Sequence, residues 1–238
     1  MSKYRIQYIS NLFLNKTPHT LSSVLKPCAP ILALCGNIGI AGCPSTKQFL
    51  KEADKHYERV LWIPGMLEYA TSDAVNPITW REQADQCYKS IQTWKLKNTA
   101  FCQKYEWNLT NSIAILATPG WHNSFDTQEY KIYDYKNGLK LRMNSEDFQH
   151  LLINEISWIY TCSAKKPETK KIVLTYSPIE VHKNPNTTTI HLHGTNKLNN
   201  PQSYCGGKNP WYGINMLGSA AFRKDAFVEV CTTKEKFL

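Results

Sequence analysis

Short apolar runs, each closed by a polar or glycine-bearing turn, alternate along this chain with longer stretches of helical periodicity. Residues 4–9 carry apolar Ile6, Tyr8 and Ile9 and are expected as a strand. Residues 31–34 form a continuous apolar run that stops at Cys35-Gly36, the pattern of a strand buried on both faces. Residues 46–59 place apolar side chains near helical spacing with no proline, which predicts a helix. Residues 60–63 are apolar again and end at Pro64-Gly65. Strand, strand, helix and strand in that order argue for a layered α/β sheet.

The alternation continues to the end of the chain. Residues 79–97 read as a second helix and residues 113–117 as a strand. A third helix is expected over 146–161, where Phe148, Leu151, Leu152, Ile156 and Ile159 recur near helical spacing. Residues 171–175 and 188–192 read as strands, the second leading into His193-Gly194, and 213–217 and 228–230 read as closing strands. Residues 123–141 are tyrosine-rich, polar and irregular, and are expected as a surface excursion. Neither a linker nor a repeat of solenoid period interrupts the pattern, so residues 1–238 are read as one domain.

Composition narrows the class. A hydrophobic fraction of 42% over 238 residues suffices for one large core. The formal net charge of +9 favours acidic partners, with nucleic acid or another polyanion among them. No nucleic-acid recognition motif accompanies that charge, and its tightest runs, Lys165-Lys166 and Lys170-Lys171, flank an expected loop. The eight cysteines, Cys28, Cys35, Cys43, Cys87, Cys102, Cys162, Cys205 and Cys231, form no CxxC pair and match no zinc spacing. Reduced, mostly buried thiols are expected, in a cytoplasmic or other intracellular reducing compartment. The N-terminal segment has no secretory apolar core and no apolar run is long enough to span a membrane, so neither a leader nor a span is expected. The sequons at Asn108 and Asn186 are therefore expected to carry no glycan. A P-loop, a dinucleotide fingerprint and a serine nucleophile elbow are absent, and Cys35 and Cys205 lack a Cys-His signature.

Ligands of open α/β sheets gather at the carboxyl ends of strands. The residues following the expected strands are Asn11-Leu12-Phe13, Gly36-Asn37, Pro64-Gly65-Met66-Leu67-Glu68, Thr175-Tyr176-Ser177-Pro178 and His193-Gly194-Thr195-Asn196-Lys197. In this order they resemble the strand-end motifs of the calcineurin-like metallophosphoesterases: D-x-H, G-D, G-N-H-E, a T-H turn and G-H-x-H. The segment NPWYGINMLGSAAF is similar to that family's closing segment, so the resemblance covers nearly the whole chain. It implies an α/β/β/α sandwich of mixed sheets with flanking helices. It also implies two metals roughly 3.5–4 Å apart, clamping a phosphoryl group.

Here the resemblance points away from that chemistry. The positions matching metal ligands and the proton donor are Asn11, Phe13, Asn37, Met66, Leu67, Tyr176, Thr195 and Lys197. Amides, apolar side chains and an ammonium cannot supply the charge that two divalent ions need. Gly36, Pro64, Gly65, Glu68 and Gly194 are kept. The resemblance therefore implies a member without catalysis and without a metal or other cofactor. Such a protein would serve a binding, scaffold or assembly role with protein partners in a larger particle or complex. Lys197, His193, Asn11 and Asn37 are candidate phosphate or ligand contacts, and Trp121, Tyr130, Tyr133, Tyr135, Trp211 and Tyr212 candidate partner contacts. The competing reading is an active metal-dependent phosphoesterase with a relocated or atypical metal site. His191 and His193, two apart on one strand, would then share a face, with His122 and Glu68 completing the site.

Overall fold

The computed structural model describes residues 3–71, 73, 75–121, 130–179, 189–194, 211–214, 223–225 and 227–231. The elements run β1 (Lys3–Ile9), α1 (Leu21–Val24), β2 (Ile31–Cys35), α2 (Pro44–His56), β3 (Arg59–Ile63), α3 (Met66–Tyr69) and α4 (Trp80–Thr93). They continue with β4 (Thr99–Phe101), β5 (Tyr105–Thr110), β6 (Ile113–Ala117), β7 (Tyr133–Lys136), β8 (Leu139–Arg142) and α5 (Ser145–Lys165). Last come β9 (Lys170–Thr175), β10 (Thr189–His193), β11 (Trp211–Ile214) and β12 (Phe227–Cys231). The chain is thus α/β, as its apolar pattern predicts.

The strands form two five-stranded sheets, ordered β12-β1-β2-β3-β4 and β11-β10-β9-β6-β5. In the first, β1 to β4 run parallel and β12 closes antiparallel on β1. In the second, β6, β9, β10 and β11 run parallel, and β5 pairs antiparallel with β6. Alternation along β2 explains the core. Ile31, Ala33 and Cys35 join a buried cluster with Ile115, Ile172, Leu174 and Ile190 of the second sheet. Leu32 and Leu34 point the other way, into a cluster with Phe49, Leu50 and Ala53 of α2 and Ala84 and Cys87 of α4. On the far side of the second sheet, Leu116 and Val173 pack against Ile159 and Cys162 of α5.

Local signals set the helix starts. Pro44 occupies the first turn of α2, where its missing N–H costs nothing. Thr79 and Glu82 form a reciprocal capping box at α4, and Asn144 and Asp147 form another at α5. The expected helix over 79–97 ends at Thr93, and Lys95 turns the chain with a positive φ of 58°.

One expected surface excursion is in part regular. Within 123–141, β7 and the start of β8 pair antiparallel around Asn137-Gly138, whose φ values are +51° and +79°. An Asn-Gly pair between two strands is the strongest short hairpin signal, and the density of tyrosines obscured it. The short β4, α1 and α3 were likewise not expected, nor was the polar, half-buried β5. Of the expected strand over 213–217, residues 215–217 lie outside the described residues. Cys35, Cys87, Cys102 and Cys162 are free and buried, and Cys28 and Cys43 are free and half-buried. Cys205 lies outside the described residues. Among the described residues no helix is long and apolar enough to cross a membrane.

Candidate functional site

Five strand-end turns, three from the first sheet and two from the second, meet at one edge. Asn11 and Asn37 follow β1 and β2 in the left-handed region, with φ of 58° and 53°, a conformation asparagine tolerates better than most residues. The turns are tied through backbone: Asn11 N–H donates to the Gly36 carbonyl at 3.0 Å, and Phe13 N–H to the Asn37 carbonyl at 3.0 Å.

Asn37 sits at the centre. Its amide nitrogen donates to Asn11 Oδ1 at 3.1 Å and to the Tyr176 hydroxyl oxygen at 2.8 Å. Its Oδ1 accepts from Leu67 N–H at 3.0 Å. Asn11 Nδ2 in turn donates to the Gly194 carbonyl at 3.0 Å, and Ser10 Oγ donates to the same carbonyl at 2.7 Å. Met66 is buried in the core beneath. Asn11, Phe13, Asn37, Met66, Leu67 and Tyr176 are therefore brought together, while Thr195 and Lys197 lie outside the described residues. The exposed Lys16 holds its ammonium 5.7 Å from the Phe13 ring centroid, at the rim.

Two glycines permit this closeness. A Cβ on Gly194 would overlap the Cys35 carbonyl oxygen, and one on Gly36, whose φ is +84°, would overlap the Tyr176 ring. Such contacts admit only a hydrogen at these Cα atoms.

Glu68 organises the turns from below. Its carboxylate accepts from Gly65 N–H at 2.7 Å, Asn37 N–H at 3.1 Å, Ile38 N–H at 2.7 Å, Gly39 N–H at 3.2 Å and Trp62 Nε1 at 3.3 Å. Burial pushes this carboxyl up from its usual range, while the N–H donors of Gly65, Ile38 and Gly39 pull it back.

The two histidines of β10 lie with ring centroids 5.4 Å apart. Thr175 Oγ1 donates to the Ser177 carbonyl at 2.6 Å, so at 2.7 Å from His191 Nε2 it acts as acceptor. His191 therefore carries its proton on Nε2, and burial, reinforced by His193, holds its pKa well below the usual value. His193, also buried, immediately precedes the Gly194 junction. A relocated metal site loses Glu68 as a donor and Nε2 of His191 as a ligand atom. Glu68 is consumed by five N–H groups, His191 Nε2 by Thr175, and His122 lies outside the described residues. Among the described residues no three His, Cys, Asp or Glu side chains are grouped to hold a metal.

Sequence reasoning missed Glu155. Its oxygens accept from Thr118 Oγ1 at 2.6 Å, Gly120 N–H at 2.9 Å and Trp121 N–H at 3.1 Å. That grip fixes the loop whose Pro119 carbonyl receives Tyr176 N–H at 3.0 Å, so Glu155 positions Tyr176. The signal was an acid at an apolar position of α5, between Phe148 and Ile159, at spacings of seven and four. Trp121, expected as a partner contact, instead stacks on Tyr69 at 4.8 Å and on Phe148 at 5.8 Å in the core. Tyr130 packs partly buried against the same core, Tyr133 is half-buried and Tyr135 is exposed. The side chains of Trp211 and Tyr212 lie outside those described.

Burial raises the Glu155 carboxyl from 4.5 to about 7. A raised acid favours the fold in its protonated form. Its contribution is full below the unfolded value and is lost as pH rises through the folded one. At about 1.4 kcal/mol per pH unit, roughly 3 kcal/mol of stability should disappear between those values. Urea titrations across that range should show this slope in the wild type and its loss in Glu155→Gln. An equal slope in both proteins would refute the assignment.

The fold defined by these sheets belongs to a known class of α/β architecture. A solved structure of phosphopantetheinyl hydrolase (PptH) from Mycobacterium tuberculosis superposes with a TM-score of 0.56 at 13% identity, covering 91% of this chain and 90% of that one. A second solved structure reaches a TM-score of 0.46 at 9% identity over 82% of this chain and 84% of its own, too slight a likeness to argue from. No family model and no curated protein matches the sequence.

These comparisons overturn the resemblance to calcineurin-like metallophosphoesterases. No model of any family supports it, and the structural likeness is to a phosphopantetheinyl hydrolase. The physical reason lies in what the five motifs retained. With every distinctive ligand replaced, Gly36, Pro64, Gly65, Glu68 and Gly194 were what remained, and α/β sheets use glycine and proline in the turns after strands for steric reasons alone. The inactive scaffold or assembly role rested on that resemblance and falls with it.

Proposed function

We propose that this chain is a hydrolase of a phosphoryl ester, held at the strand-end edge around Asn37. The convergence of Asn11, Asn37 and Tyr176 with the Gly194 carbonyl, where the carboxyl ends of the parallel strands of both sheets meet, carries this reading. The likeness to phosphopantetheinyl hydrolase supports it through shared fold, and makes a phosphopantetheinyl ester the first substrate to try. The three buried clusters favour an α/β/β/α layering in a single domain over 1–238, and the free thiols fit a reducing compartment.

The roles follow from chemistry. Hydrolysis adds water to phosphorus and breaks the bond to the leaving alcohol, whose oxygen must gain a proton. His193, which ends β10 immediately before Gly194, is the residue assigned to carry that proton. Asn37 holds Asn11 and Tyr176 in place, and these two orient the phosphoryl oxygens. Lys16 at the rim, and Lys197 three residues beyond Gly194 in sequence, supply positive charge. Phe13, Met66 and Leu67 shape the surroundings. The test is release of phosphopantetheine from a phosphodiester conjugate by wild type and by His193→Gln. Turnover that collapses in the variant supports the reading, and turnover indifferent to it refutes it.

A further inference from the structure

The outer face of α2 carries a charge pattern that the hydrolase reading does not use. Lys47, Lys51 and Lys55 recur every fourth residue and all are exposed. At 1.5 Å per residue they stand about 6 Å apart along the axis, in a row spanning about 12 Å. A shallow groove of about 330 Å³ follows the row, lined by Pro44, Lys47, Gln48, Lys51, Glu52 and Lys55.

The acids of the same helix are engaged by other groups, although Glu52 also lines the groove. Glu52 accepts from Leu21 N–H at 2.9 Å and from Gln48 Nε2 at 3.3 Å. Asp54 accepts from Lys97 N–H, Asn98 N–H and Thr99 Oγ1 at 3.1, 2.8 and 2.7 Å. Among the described residues none of the three lysines is ion-paired, whereas cations elsewhere are: Lys3 and Arg5 with Glu229, Arg81 with Asp134, Lys136 with Asp147, Lys140 with Glu82. Helix stability accounts for Lys55, which stands in the last turn, but not for Lys47. Lys47 stands in the first turn, at the positive end of the macrodipole, and that turn holds no acid.

We infer that this row is a docking surface for the phosphodiester backbone of a single-stranded nucleic acid. Three unpaired ammonium groups at about 6 Å intervals match successive phosphates of an extended strand in charge and in order. The exposed side chains lining the groove include no aromatic or large apolar group, so contact would be to the backbone and independent of sequence. An anionic membrane surface is the less suited partner, because nothing along the row could insert into lipid.

Fluorescence anisotropy of a short labelled single-stranded oligonucleotide of mixed sequence tests this with the full chain. The triple variant Lys47→Gln, Lys51→Gln, Lys55→Gln should lose at least tenfold in affinity at low salt. Its slope of log affinity against log salt should shrink by about 2, at about 0.7 per phosphate. A charge-matched control, Lys89→Gln, Lys131→Gln, Lys165→Gln, alters three exposed lysines on other elements and should stay within twofold of wild type. Equal losses in both triples would reduce the effect to net charge and overturn the inference. So would absence of binding by the wild type, or binding to anionic vesicles but not to the oligonucleotide.

Discussion

Glu68→Ala should cost the protein most of its stability. The side chain lies in the core and satisfies five N–H donors, four from the turns after β2 and β3 and one from Trp62 within β3. Truncation leaves those donors buried with no acceptor, at about 1–3 kcal/mol each. The sum reaches the whole stability of an ordinary domain, about 5–15 kcal/mol. Calorimetry should show a melting temperature lower by more than ~10 °C, or no cooperative transition. Glu68→Gln keeps one oxygen but aims an NH2 group at other donors, and should fall between wild type and alanine. A Glu68→Ala protein melting within a few degrees of wild type would mean these turns do not depend on the carboxylate.

Gly194→Ala should be the second largest effect, by a different cause. The added methyl would overlap the Cys35 carbonyl oxygen and stand 2.8 Å from Ser10 Cβ. Both neighbours belong to the first sheet, so the strain pushes the two sheets apart where Asn11 and Ser10 bond the Gly194 carbonyl. Overpacking a rigid interior costs about 1–3 kcal/mol, and a backbone clash belongs at the upper end. Gly42→Ala is the contrast. There a methyl meets open space, and only the positive φ of 82° opposes it, at about 1 kcal/mol. Equal melting temperatures for the two variants would contradict the close approach at Gly194.

Much of this arrangement was legible in sequence because it follows from periodicity. The run over residues 31–34 became β2, buried on both faces, and the stripe over 146–161 became α5. The strand ends likewise gave Asn11, Asn37 and Tyr176 as neighbours, since parallel strands place their carboxyl ends on one edge. What failed was inference from sequence to family. Retained glycines report steric demands of turns, and those demands are shared by unrelated α/β sheets. The roles of Glu68 and Glu155 were hidden because a buried acid is recognised by its donors, which come from residues distant in sequence. Asn137-Gly138 was readable and was outweighed by the surrounding tyrosines.

The central claim is that the edge around Asn37 hydrolyses a phosphoryl ester with His193 carrying a proton. Steady-state release of phosphopantetheine from a phosphodiester conjugate addresses it most directly, with wild type and His193→Gln assayed side by side, with and without added divalent cations. General acid–base catalysis contributes about 10²–10⁴ in rate, so the account predicts measurable turnover by wild type and a fall of at least about a hundredfold in the variant with melting temperature retained. No turnover by wild type under either condition, or the same turnover in both proteins, would contradict it.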